Sequence, residues 1–317
     1  MKTPEVVSIG GILVEVMRQK LDEPLNEAGT FAGPFPSCDT PIYIDAVARL
    51  GRSAGYIGAV GKDDFGKCVL DRFERDGVDF SCGRVLADHT TGVAFVAYFQ
   101  DGSRKFIYHW RYAAAGQLSP EYVDPDYIKN AKWVHLTGCN LAASPLARDA
   151  CYIALEFLAA DARLSFDANV RPELLSIEEI RQLCGPVIER ANVVFPSIGE
   201  AEMLTGAKDD EEGCRQWAAQ GKIVVLKQGP RGCRIFQDGR DFTVPGFKVQ
   251  EVDPTGAGDA FCGGFTVAIL DGLELINAGQ FANAVGALAV TKLGPMEGVP
   301  TRNEVEHFLK QAMIRFS

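Results

Sequence analysis

The sequence predicts an α/β protein: a mostly parallel sheet flanked by helices, with a small second β-sheet. Three observations carry this. From Ala113 onward, short β-rich runs alternate with helical stretches in the βαβ manner. Two alternating segments, Gly92–Phe99 and Arg104–Arg111, are joined by Asp101-Gly102, a strong hairpin signal. Finally, Val252–Phe265 reads VDPTGAGDAFCGGF, a turn built from Pro254, Gly256 and Gly258 that runs into a helix.

That last stretch organises the chain. Phe261, Phe265 and Ile269 repeat at helical spacing, as do Ala260, Gly264 and Ala268, which predicts one apolar stripe. At the helix start the N–H groups of Ala257, Gly258 and Asp259 lack intrahelical acceptors and form an anion site for which phosphate is the usual guest. A carboxylate there is repelled by such a guest. Asp259 therefore reads either as a dipole-complementing first-turn acid or as a base that takes a proton from an attacking hydroxyl.

The full string DPTGAGDAFCGGF resembles the C-terminal signature of the ribokinase-like (PfkB) family of carbohydrate kinases. The resemblance implies a ribokinase-like three-layer α/β/α domain over 1–317, with a β lid contributed by about 12–36 and 90–112. It also implies that Gly256, Ala257 and Gly258 form an anion hole for the transferring phosphate, with Asp259 the catalytic base.

Composition is compatible. The 317 residues suit one large α/β domain or two smaller ones. A net charge of −10 argues against a nucleic-acid surface. Nine cysteines without a C-x-x-C pair suggest reduced thiols, with neither a disulfide framework nor a zinc site. The N-terminus lacks a signal-peptide pattern and no apolar run is long enough to span a membrane, so a soluble, cytoplasmic protein is expected. There is no Walker loop, no H-E-x-x-H, and no dinucleotide fingerprint after Gly10-Gly11.

Along the chain, Val6–Gly11 predicts a buried strand, and Val69–Val78 an amphipathic helix ended by Gly77. Glu15 stands where the family usually has an Asp that holds sugar hydroxyls; otherwise it is an exposed strand charge. In Phe31–Gly51 the Gly/Pro-rich half precedes a helix beginning near Thr40. Gly33 matches the family's sugar-pocket turn, and Asp39 either accepts sugar hydroxyls or caps the helix. The GPFPS variant is similar to a subset of ketohexose kinases, tagatose kinase among them. YIGAVGKDDFG, Tyr56–Gly66, matches the family's first signature. Tyr98, Tyr108 and Arg111 sit where the 2-keto-3-deoxygluconate kinase branch uses aromatics and an Arg, or else serve lid and dimer packing.

DANVRP after Leu164–Asp167 places polar groups at the carboxyl end of a strand, the ligand edge of a parallel sheet. There the resemblance puts Asn169 and Arg171 beside the substrate. In Val193–Gly206 a helix is expected to begin near Ser197. Ser197 and Glu200 read as a capping box or, by resemblance, as the N-x-x-E that organises water around Mg²⁺–ATP. The turn Gly229–Gly232 is a plain β-turn or the family's nucleotide turn, with Lys227 adding charge, and Asn283 and Gly286 fall where family members flank adenine. Asp253 and Thr255 match a monovalent-cation motif, which implies K⁺.

The expected function is ATP-dependent phosphorylation of a sugar's primary hydroxyl, with ATP and Mg²⁺. A ketohexose of the fructose or tagatose type is the first substrate candidate, 2-keto-3-deoxygluconate the second, a nucleoside the third. The contrasting reading is a non-catalytic sugar or nucleotide sensor on the same fold. A homodimer through the lid is the expected assembly, with no nucleic-acid or membrane partner.

Overall fold

In the computed structural model, residues 4–172 and 175–316 are described. Nine strands form the main sheet, in the spatial order Arg240–Pro245, Gly232–Gln237, Ile223–Lys227, Val193–Phe195, Arg163–Asp167, Trp133–Thr137, Val6–Ile9, Ala54–Ile57, Val78–Asp79. The pairs from Ile223–Lys227 to Val78–Asp79 are parallel, and the two strands at the other edge are antiparallel.

Strand periodicity of two explains the layers. Val6, Trp133, Val193 and Val225 feed one core, whereas their neighbours Val7, Val134, Val194 and Val224 feed the other. Helices Asp39–Arg49, Ala257–Leu270 and Leu275–Ala289 cover the first face, and helices Pro145–Phe157, Ile177–Arg190 and Asp210–Ala218 the second. The result is a three-layer α/β/α arrangement. All nine cysteines are free. Among the described residues no helix is long and apolar enough to cross a membrane.

Helix Ala257–Leu270 departs from the single stripe expected of it, being buried continuously from Ala260 to Ala268. Two adjacent glycines explain how it is packed on both sides. A Cβ at Gly263 would come within 2.9 Å of Tyr43 O, and one at Gly264 within 2.9 Å of Val285 Cγ2, so helices Asp39–Arg49 and Leu275–Ala289 close in from different sides.

After Ile9 the chain leaves the main sheet, and Leu13–Arg18 joins a four-stranded sheet in the order Phe31–Ser37, Leu13–Arg18, Gly92–Tyr98, Arg104–His109. The hairpin turns at Gly102, whose φ of 82° suits the residue following Asp101. This small sheet stands over the carboxyl ends of the parallel strands, through contacts described below.

Candidate active site

Between the small sheet and the strand ends lies a cavity of about 390 Å³. Its floor begins at helix Ala257–Leu270, where Gly256 is the N-cap with φ 80°, and a Cβ there would strike Pro295 O at 2.5 Å. The Ala257 N–H reaches only Pro254 O, at 3.5 Å, and the first regular bond of the helix runs from Ala260 N–H to Gly256 O, 2.9 Å. The N–H groups of the first turn thus stay available to an anion. Asp259 lines the cavity beside them. Burial raises its pKa to about 7; Asp39 and Asp167 push the same way, while Lys227 and Arg171 oppose.

The carboxyl ends of neighbouring strands supply the rest of the floor. Lys227 Nζ lies 2.5 Å from Asp167 Oδ2. Asp39 is the hub: its Oδ2 accepts from Thr137 Oγ1 at 2.7 Å and Asn169 Nδ2 at 2.8 Å, and its Oδ1 from Thr40 N–H and Asn140 Nδ2. It follows Cys38, the N-cap of helix Asp39–Arg49, so it sits at the first turn of that helix without being its cap, and it faces the cavity. Arg171 also lines the cavity and acts electrostatically on Tyr108 and Cys139.

The small sheet forms the roof. Glu15 is 6% exposed; its Oε1 accepts from Ser37 Oγ at 2.7 Å, while Oε2 is buried without a hydrogen-bond partner. Burial lifts its pKa to about 7 against the bond from Ser37. Gly33 lies beside it with φ 117°, where a Cβ would sit 2.6 Å from Glu15 O, so its place is in bringing two strands together. Along Arg104–His109, alternate residues Arg104, Phe106 and Tyr108 turn into the cavity, and Trp110 continues the series. The Phe106 and Tyr108 rings stack at 5.4 Å.

Several expected site residues lie elsewhere. Arg111 is exposed and does not line the cavity, being an odd step away from Tyr108. Tyr98 gives its hydroxyl to Asp253 Oδ1, 3.0 Å, and pairs with Thr255 Oγ1 at 2.8 Å. Asp253 Oδ1 also accepts the Thr255 N–H and Oδ2 the Gly294 N–H, so both of its oxygens are engaged. Asn283 donates to Val244 O and Pro245 O. Gly232 turns at φ 98° where a Cβ would meet Val244 O at 2.2 Å; Gly229 has φ 58°, and Gly286 approaches Ala257 O. None of these last four lines the cavity.

The helix expected near Ser197 starts at Glu200, because Gly199 takes a φ of 87° and serves as N-cap. Asp210 supplies the missing cap, accepting the N–H groups of Gly199 and Glu202. Glu200 is buried and accepts Val170 N–H and Ser197 N–H, one on each oxygen, at 2.7 and 2.6 Å. Burial raises its pKa, with Lys227 opposing. No group of three or more His, Cys, Asp or Glu among the described residues could hold a metal unaided. Glu200 lines the cavity with each oxygen already accepting one backbone N–H, so a hard divalent ion there would have to bring most of its oxygen ligands with it.

Sequence reasoning missed Arg104, Phe106, Trp110 and Asn140. The first three share the period-two face of Tyr108. Asn140 sits on a short helix, Gly138–Ala143, and fixes Gly11 by accepting its N–H at 2.6 Å, a pairing no local pattern announces.

The pfkB family carbohydrate kinase profile matches residues 44–302. The chain belongs to that family. This carbohydrate kinase is 34% identical to fructokinase-1 of Zea mays over 97% of the chain and 98% of the relative. It is 32% identical to 2-dehydro-3-deoxygluconokinase of Bacillus subtilis over 90% and 89%. A structure described as a putative ribokinase II from E. coli in complex with ATP and Mg²⁺ superposes with a TM-score of 0.92 at 38% identity, covering 97% of this chain and 99% of that one. The chain is an ATP-dependent carbohydrate kinase with a ribokinase-like fold.

Proposed function

We propose that this kinase transfers the γ-phosphoryl group of ATP to a primary hydroxyl of a ketohexose. The observation that carries the reading is Asp259, a carboxylate on the cavity wall, next to the open N-terminus of helix Ala257–Leu270. The sugar lies under Tyr108 and Phe106, with its hydroxyls bonded by Asp39, Asn169 and the unpartnered oxygen of Glu15. Asp259 takes the hydroxyl proton as the sugar oxygen bonds to the γ-phosphorus. The bond from that phosphorus to the β,γ-bridging oxygen breaks, and ADP leaves with the electron pair. N–H groups at Gly256–Asp259 hold the phosphoryl oxygens. Glu200, on the cavity wall, is the residue that would hold the water shell of a Mg²⁺ bound with ATP, an ion that would supply neutralisation of the phosphate charge. The nucleotide extends past Ser197 towards the Gly229–Gly232 turn and the Asn283–Gly286 face. Asp253 and Thr255 anchor the turn through Tyr98, and turnover measured with and without K⁺ tests the cation expected beside them.

A second substrate reading, an acid sugar such as 2-keto-3-deoxygluconate, is favoured by Arg104 and Arg171 on the cavity wall. For the assembly we infer a homodimer through the small sheet, whose outer face carries Phe31 and Ile107, 37% and 42% exposed; light scattering checks it, and a monomer at micromolar concentration rejects it.

The test is sugar-dependent ADP formation over ketohexoses, aldoses, acid sugars and nucleosides, with Mg²⁺, using Asp259→Asn as the blank. A positioned base contributes on the order of 10²–10⁴ in rate. One substrate far above the rest with a dead blank supports the reading; turnover retained in Asp259→Asn removes Asp259 from the role of base.

A further inference from the structure

Lys227 occupies an electrostatically unfavourable position. Its Nζ would lie 3.6 Å from a Cβ at Gly258, which places an ammonium at the first turn of helix Ala257–Leu270. That end of a helix already carries partial positive charge and repels a cation. Asp167, 1% exposed, holds the ammonium there at 2.5 Å, and Cys262 Sγ stands 3.9 Å away. The strand Ile223–Lys227 ends at this residue, so the side chain issues from the ligand edge of the sheet. A cation and a set of free N–H groups converging on one side of a cavity make a site for a doubly or triply charged anion. Asp259 shares that wall, so the anion stands next to the base.

Resting on the kinase reading above, we propose that Lys227 is a catalytic residue whose ammonium contacts the γ-phosphoryl group during transfer. Asp167 is its positioning residue. Lys227 carries the charge that the backbone N–H groups do not neutralise, and it shields Asp259 from the incoming phosphate. A lysine suits the task because its ammonium has three donors: one serves Asp167, one points at Cys262 Sγ, and the third is left for a phosphoryl oxygen. In the nucleotide placement proposed above the β-phosphate and base lie towards the Gly229–Gly232 turn, away from Asp259, so the contact is expected to be specific to the third phosphate.

Three variants test this: Lys227→Met, Lys227→Arg, and Lys227→Met combined with Asp167→Asn, which removes the counter-ion that the single change would strand. The readouts are kcat with the best sugar of the panel, and the affinities for ADP and for AMP-PNP measured by calorimetry. Loss of one preorganised donor at a developing charge lowers rate by about 10²–10³. The expected result is a loss of that size in kcat for Lys227→Met and for the double variant, with partial recovery in Lys227→Arg. AMP-PNP weakens at least tenfold while ADP stays within threefold. A structural lysine would move both nucleotides together, and that outcome overturns the proposal, as does a kcat within threefold of wild type. If the wild type turned over no sugar, the kinase reading would fail, and the ratio of AMP-PNP to ADP affinity would still decide the contact. The double variant guards against misfolding, since a cooperative melt with the same affinity ratio assigns the effect to the ammonium.

Discussion

The Tyr98 hydroxyl donates to Asp253 Oδ1 across 3.0 Å, joining the roof strand Gly92–Tyr98 to the turn that precedes Gly256. The same hydroxyl pairs with Thr255, and the far oxygen of Asp253 accepts from Gly294, so three segments meet at one carboxylate that is 2% exposed. Tyr98→Phe removes one donor from a buried charge, which costs about 1–3 kcal/mol. Urea unfolding should show that loss. The freed turn also misplaces the N–H groups at Gly256–Asp259, so kcat should fall more than the sugar KM rises. Unchanged stability together with unchanged kcat would remove Tyr98 from this role.

Asp259 works as a base only when ionised. Burial raises its pKa to about 7, Asp39 and Asp167 reinforce the shift, and Lys227 and Arg171 oppose it; the Cys139 and Cys262 thiols nearby stay neutral because burial pushes their own pKa values up. The sign follows directly. Below pH 7 the free enzyme holds this proton, so kcat/KM climbs with pH and levels off above it. Removing a cation that favours the carboxylate shifts the limb, so Lys227→Met should move it to higher pH. A limb near pH 4 in the wild type would show that solvent or ligand restores the ordinary acidity.

Local pattern made the reacting floor legible, and long-range register hid much of the roof. Asp259 and its glycines lie in one short string whose spacing dictates turn and helix. Asp167, Asn169 and Arg171 were readable because polar residues after a buried parallel strand must emerge at its carboxyl edge. Tyr98 and Tyr108 share one face of the hairpin, since Tyr98 pairs with Arg104 and Tyr108 with Ala94, yet Tyr108 lines the cavity and Tyr98 bonds Asp253, 155 positions away. Alternation along a strand gives the face of each residue, but which segment each position on that face meets is set by long-range packing. Glu200 kept its capping bond to Ser197 N–H, while a left-handed Gly199 and a cap from Asp210 moved the helix start.

Arg72 carries a structural prediction. It is 4% exposed and pairs with Asp45 at 2.7 Å, with Asp76 at 2.5 Å, and with Met296 O at 2.8 Å. One guanidinium therefore joins the helices Asp39–Arg49 and Asp64–Asp76 to the segment after Gly294. Arg72→Met strands Asp45 in the interior, whereas Asp76 keeps Arg49 and Arg75, and should cost about 3–5 kcal/mol. Adding Asp45→Asn should recover part of that in urea melts, because it withdraws the orphaned carboxylate. A single variant as stable as wild type would mean that water reaches the pair.

Arg104 and Arg111 separate the two substrate readings. Arg104 lines the cavity and acts electrostatically on Glu15, whereas Arg111 lies exposed beyond the strand end. A hydrogen bond to a charged group is worth about 1.5–3 kcal/mol, which corresponds to about 10–150-fold in affinity. For an acid sugar, Arg104→Gln should raise KM by an amount in that range with little change in kcat, because the carboxylate sits away from the reacting hydroxyl. For fructose or tagatose the same change should cost less than about threefold, since a neutral hydroxyl can exchange the guanidinium for water or for the amide. Arg111→Gln should leave both substrates unaffected. Steady-state kinetics of the two variants on one ketohexose and one acid sugar decides the matter. A large effect from Arg111 with none from Arg104 would mean that the roof strand shifts register when substrate binds, and that the resemblance located the carboxylate partner better than the period-two face does.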